Sequence, residues 1–128
     1  MKRAVLAIVL AACGGTPAVR RPDTAKLARL LHEDLVQLAR IAKAHRGNCR
    51  ALVGALRPHV DRMRAHADEV KRVQQNTEHA KQLRKDVAAY DVENRGLADT
   101  IGGDLGASYR TCPEDRPLLE QIDRIPEL

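Results

Sequence analysis

In four stretches of this chain the apolar residues return every three or four positions, the spacing that lays them along one face of an α-helix. Leu27, Leu31, Leu35, Leu38 and Ala42 form the first stripe, widened by Leu30 and Ile41. Asp23 and Thr24 are both good N-caps, so the first helix is predicted to start there and run to about His45. Gly47 and Asn48 then supply a stop and a fresh cap together. The second stripe, Leu56, Val60, Met63, Ala67 and Val70, alternates steps of four and three, the heptad seam of a bundle or coiled coil. Pro58 interrupts it. Either Cys49 to Leu56 is a separate short helix, or one helix kinks where the proline removes a backbone bond, and the kink is the expectation adopted.

The third stripe runs Ala80, Leu83, Val87, Tyr90, Asn94, Leu97 and Ile101, again in heptad steps. It is out of phase with the second. At 100° per residue, Leu83 lies about 220° round from Val70, nearly opposite, and the polar run Gln74-Gln75-Asn76-Thr77 separates the two. A turn is therefore predicted near Gln74, although neither Gly nor Pro marks it. Beyond Ile101, Gly102, Gly103 and Gly106 are expected to loosen the chain. Pro113 to Pro117 reads as a hinge, and Leu118, Leu119, Ile122 and Ile125 as a short amphipathic helix on the open end of the bundle. The fold class is thus all-α: a small antiparallel bundle of three main helices plus a short C-terminal one.

The amino terminus carries a different kind of signal. Lys2 and Arg3 precede an apolar run, Ala4 to Ala12, too short to span a bilayer. It ends in Leu10-Ala11-Ala12-Cys13, which resembles the lipobox of bacterial lipoproteins. The resemblance covers residues 1–15. It implies cleavage between Ala12 and Cys13, a diacylglycerol on the Cys13 thiol and acylation of the new amino terminus. The competing reading is an ordinary secretory signal cut after Ala12, with Cys13 unmodified. Residues 1–12 are then the signal, 13–23 a lipidated terminus and tether, and 24–128 the helical domain. Glycine after the cysteine implies, by the sorting rule of Gram-negative lipoproteins, the outer membrane with the domain facing the periplasm. The chain resembles the small helical envelope lipoproteins of such bacteria. It differs from the coiled-coil lipoprotein that crosslinks to peptidoglycan, because it ends Pro126-Glu127-Leu128 with no terminal lysine. Arg20 and Arg21 serve either anionic headgroups near the anchor or simply the solvation of the linker.

With Cys13 acylated, Cys49 and Cys112 remain, and an exported pair in an oxidising compartment is most simply a disulfide. Within one chain it demands a reversal. The 63 residues between them would span about 95 Å along an unbroken helix, against roughly 5–6 Å between bridged Cα atoms. An interchain bridge is the alternative, and a redox-sensing bridge would have to be strained or accessible. For a chain without Phe or Trp, the cross-link is read as a staple for the fold.

Charge narrows the partners. Removal of the signal leaves 20 Lys and Arg against 17 Asp and Glu, and two tyrosines offer no platform for stacking bases. No nucleic-acid partner is expected; the partners are the membrane, through the lipid, and an envelope protein. Arg50 to Arg72 holds six basic and three acidic residues, while Asp86 to the end holds four and ten. The segregation reads as a basic helix beside an acidic one, or as a basic surface for an acidic partner.

No residue set declares a reaction. His32, His45, His59, His66 and His79 contain no pair at four-residue helical spacing and no HExxH motif. His59 and His66 share a face two turns apart, about 10 Å, too far to chelate one ion unaided. They are read as helix-surface histidines; His59, Met63 and His66 are the weak ligand candidates for a haem or metal, with Tyr90 as a further pocket suspect. Ser108 lacks a nucleophile elbow, and the glycines at 102, 103 and 106 follow no strand, so they are read as a helix ending. The acidic residues of the third stripe are dispersed, with Asp91 placed to pair with Arg95. Asn94 fixes register as a polar seam residue or lies at the rim. The expected function is a non-catalytic interaction or scaffold module without a resident cofactor; the alternative is a carrier of a small molecule, haem or metal.

Overall fold

The computed structural model describes residues 21–127, and these are all-helical, with no strand among them. The signal segment, Ala12, Cys13 and Arg20 lie outside the described residues. Five helices follow one another: α1 (Thr24–Ala44), α2 (Cys49–Gln74), α3 (Thr77–Ala88), α4 (Asp91–Thr111) and α5 (Arg116–Arg124). None is long and apolar enough to cross a membrane.

Local chemistry sets most of the boundaries. Asp23 accepts a bond from Lys26 N at 2.9 Å and caps α1, and Asn48 accepts from Ala51 N at 3.3 Å and caps α2. Gly47 between them has φ +78°, a left-handed conformation that side chains disfavour. Asn76 does what the polar run foreshadows: its Oδ1 accepts from Glu78 N and His79 N, ending α2 and starting α3 without glycine or proline. Asp115 caps α5 through Leu118 N at 2.9 Å.

α2 continues through Pro58 as one helix. A proline there leaves the Gly54 carbonyl without its partner. Both residues are solvent-exposed, so water can serve that carbonyl while Leu56, His59 and Val60 on the other face stay buried.

Two expectations are corrected. The third stripe is not one helix: it breaks at Ala89–Tyr90, giving α3 and α4. The glycines do not loosen the chain, because α4 runs through Gly102, Gly103 and Gly106 to Thr111. Burial overrides their low propensity. Ile101, Asp104, Leu105 and Ser108, at helical spacing, are all buried on one face.

The main packing joins α1 to α2, α3 and α4, while α5 lies on α2. One core cluster gathers Leu38, Leu52, Leu56, Val60, Met63, Ile101, Leu105 and Leu118 near the disulfide. A second, of Leu27, Ala28, Leu31, Val73 and Leu83, closes the other end around α3. Burying each Leu side chain contributes about 1.5–3 kcal/mol.

Cys49 and Cys112 are bridged within the chain, with Cα atoms 6.6 Å apart. The bridge belongs to a longer seam. Asp104 and Ser108 on α4 and Cys112 at its C-cap follow each other at four-residue steps, and each holds a residue of the α1–α2 corner. Arg46 reaches Asp104 at 3.2 Å, Gly47 N donates to Ser108 Oγ at 2.9 Å, and Cys49 takes the sulfur.

Candidate functional site

Between the disulfide end and the α3 end, α2 and α4 flank α1 without closing over it. The result is an open groove of about 1080 Å³. Leu31, Leu35 and Leu38 form its floor, successive turns of one α1 face. Ala67 and Val70 of α2 and Ala98 and Ile101 of α4 make the walls, with α3 at one end and Ile122 and Ile125 of the carboxy-terminal segment at the other. Small residues keep it open: Ala67, Ala80, Ala98 and Gly102 line it where longer side chains would fill it. Its volume is that of a site for a sizeable small molecule.

Charged residues occupy the rim, namely Lys71, Arg84, Arg95, Asp91 and Glu127. Asp91 and Arg95 do not form the ion pair expected from their spacing, and Lys71, Arg84 and Arg95 pair with no acid among the described residues. The wider expectation of a basic helix neutralised by an acidic one is also unmet as ion pairs. Among the described residues the pair joining α2 to the acidic half is Asp61 with Arg124, the reverse of the expected signs. The cations of α2 thus remain at the surface.

The histidines do other work. His59 is 4% exposed, which corrects its reading as a surface residue, and it donates from Nε2 to the Asp34 carbonyl at 2.9 Å. His66 donates from Nδ1 to Asp34 Oδ2 at 2.6 Å. Asp34, itself buried, therefore joins α1 to two turns of α2. Met63 lies between them, 1% exposed and inside the core cluster. The three weak ligand candidates are thus engaged in packing and hydrogen bonding. On the opposite face of α1, His32 bonds Asn94 Oδ1 through Nδ1 at 2.7 Å and places Nε2 3.3 Å from the Glu93 carboxylate. Its ring stacks on Tyr90, centroids 4.6 Å apart. Asn94 is thus a seam contact, and Tyr90 belongs to this stack rather than to a pocket with His59.

Among the described residues, one set of three potential metal ligands has donor atoms within 4.8 Å of one another, namely Cys49, Cys112 and Asp115. Its two sulfurs are bonded to each other. Asp115 Oδ1 is occupied as a helix cap. Ser108 is fully buried and its Oγ is engaged by Gly47 N. No base stands beside it in the hydrogen bonds described.

No family model, curated protein or solved structure matches this chain. The functional reading rests on its own residues.

The sequence reading of a ligand pocket centres on His59, Met63 and Tyr90, whereas the groove lies over Leu31, Leu35 and Leu38. A signal was present: Ala67, Ala80 and Ala98 sit at or beside positions of the apolar stripes, and alanine on a seam leaves space unless a neighbour fills it.

Proposed function

We propose that the chain is a non-catalytic binding module of the bacterial envelope, anchored through a lipid on Cys13 and engaging an apolar ligand or partner through the groove. The observation that carries the reading is the 1080 Å³ groove with its leucine floor. An apolar trough left uncovered contributes no burial to the isolated domain, whereas an apolar occupant would remove that surface from water at about 25 cal/mol per Å². The lipobox-like Leu10-Ala11-Ala12-Cys13 supports the anchor and, with Gly14, the outer membrane as its location. Of the two kinds of occupant, a small molecule and an envelope protein, the volume of the trough supports the small molecule. A haem or metal at His59 and Met63 is disfavoured, since both are enclosed in the core.

Two measurements test this. The full chain, expressed in a Gram-negative host fed labelled palmitate, should fractionate with membranes and carry label, and Cys13→Ser should lose both. An unlabelled, soluble wild-type protein would remove the anchor. Native mass spectrometry of the chain purified from the envelope should show a non-covalent adduct that Leu35→Arg, on the groove floor, abolishes. A bare wild-type mass would count against a retained small ligand.

A further inference from the structure

We propose that the groove takes a long-chain fatty acid, its carboxylate at the α3 end and its acyl chain running toward α5. This rests on the groove being the binding surface.

The groove is polarised along its length. Lys71 near the end of α2, Arg84 on α3 and Arg95 near the start of α4 all line it at the α3 end, accompanied by the single acid Asp91. The rest of the groove is lined by Ile101, Leu105, Ile122 and Ile125, with Glu127 as its one acid. An apolar ligand without a head gives no account of cations gathered at one end. Nor does a partner helix, which would set an apolar stripe over the whole length.

Among the described residues these cations also lack counter-ions. Their sequence neighbours do not: Arg72 pairs with Glu69, and Lys81 with Glu78 at 3.4 Å. Lys71, Arg84 and Arg95 take part in none of the ion pairs among the described residues. A bound carboxylate would supply the missing charge, and the guanidinium groups match it in geometry.

Dimensions agree. From Asp91 to Leu105, the stretch of α4 along the groove, the helix rises about 21 Å. One leaflet of a bilayer's hydrocarbon core, the length of a membrane acyl chain, is roughly 15 Å. The groove holds such a chain over Leu31, Leu35 and Leu38, with room for the head.

The charged end is also the end nearest the anchor. Thr24 Oγ1 donates to Asp86 Oδ2 at 2.6 Å, so the chain enters α1 beside α3, two residues along from Arg84. The ten residues from Cys13 to Pro22 reach at most about 36 Å. That keeps the cationic mouth close to the surface where fatty acids partition.

The test uses the acylated full chain in vesicles of neutral phosphatidylcholine, with a long-chain fatty acid carrying a photoreactive diazirine on its chain, and with its methyl ester. Crosslinks are mapped by mass spectrometry. The acid should label groove residues around Ile101, Leu105 and Ile122, and the ester at least tenfold less. Arg84→Glu with Arg95→Glu, both at exposed positions, should cut labelling by the acid at least tenfold while the helical circular dichroism is retained. Equal groove labelling by acid and ester would overturn the head-group assignment and leave the groove as an apolar binding surface. Labelling by both confined to residues outside the groove would overturn the proposal and the groove reading together.

Discussion

Replacing Cys49 and Cys112 together by Ser should cost the fold roughly 4 kcal/mol. The bridge closes a loop of 63 residues, and the entropy that such a loop removes from the unfolded chain amounts to about 4.3 kcal/mol at 25 °C. The native state gives little reason for a different figure. Cys49 Sγ lies 3.6 Å from the Ser108 carbonyl, so a serine hydroxyl there finds an acceptor. Cys112 is only half-buried. Domains of this size hold about 5–15 kcal/mol in total, so the variant should keep a transition but lose a large share of its stability. Urea unfolding followed by circular dichroism, with and without reductant, measures the difference. Reductant should bring the wild type onto the variant's curve. The slope should also steepen, since an uncrosslinked unfolded chain exposes more surface. A loss below about 1 kcal/mol, with unchanged slope, would refute the entropic account and mean that the unfolded chain is already held compact by other contacts.

Three further outcomes follow from contacts described above. Asp34→Ala removes the acceptor of His66 but not the main-chain carbonyl used by His59, and should lower stability by about 1–3 kcal/mol in urea titrations, with Asp34→Asn losing less. Gly102→Ala and Gly103→Ala should each stabilise by roughly 0.5–1 kcal/mol, read as a rise in Tm, because a Cβ at either site meets nothing within 4 Å and glycine is a poor helix former. Gly47→Ala should destabilise by about 1–2 kcal/mol in the same assay, although space is open there too, because its φ of +78° is unfavourable for a side chain.

The local signals were the legible ones. Asp23 and Asn48 cap helices at the positions their sequence context marks, Asn76 acts where the phase between Val70 and Leu83 demands a turn, and the Cys49–Cys112 bridge requires the same reversal. The break before α4 was hidden because Val87, Tyr90 and Asn94 keep their three- and four-residue steps across it, while Tyr90 is fixed by a ring on α1, 58 positions away. The glycines of α4 misled for a related reason. Their propensity is a local property, whereas Asp104 and Ser108 are held by the α1–α2 corner, which the sequence of α4 does not reveal. The groove depends on which helices fail to touch. A stripe announces that a face will be covered, not how fully.

The covalent ring closed by Cys49 and Cys112 contains α2, α3 and α4, while α1, the helix they pack on, lies outside it. The exposed turn at Gln75–Asn76 lies within that ring. A protease that nicks the chain there leaves two fragments tied by sulfur, each still carrying its share of both core clusters. The nicked molecule should migrate whole on a non-reducing gel and as two bands after reduction. The topology lets this domain survive a cut at that exposed bend.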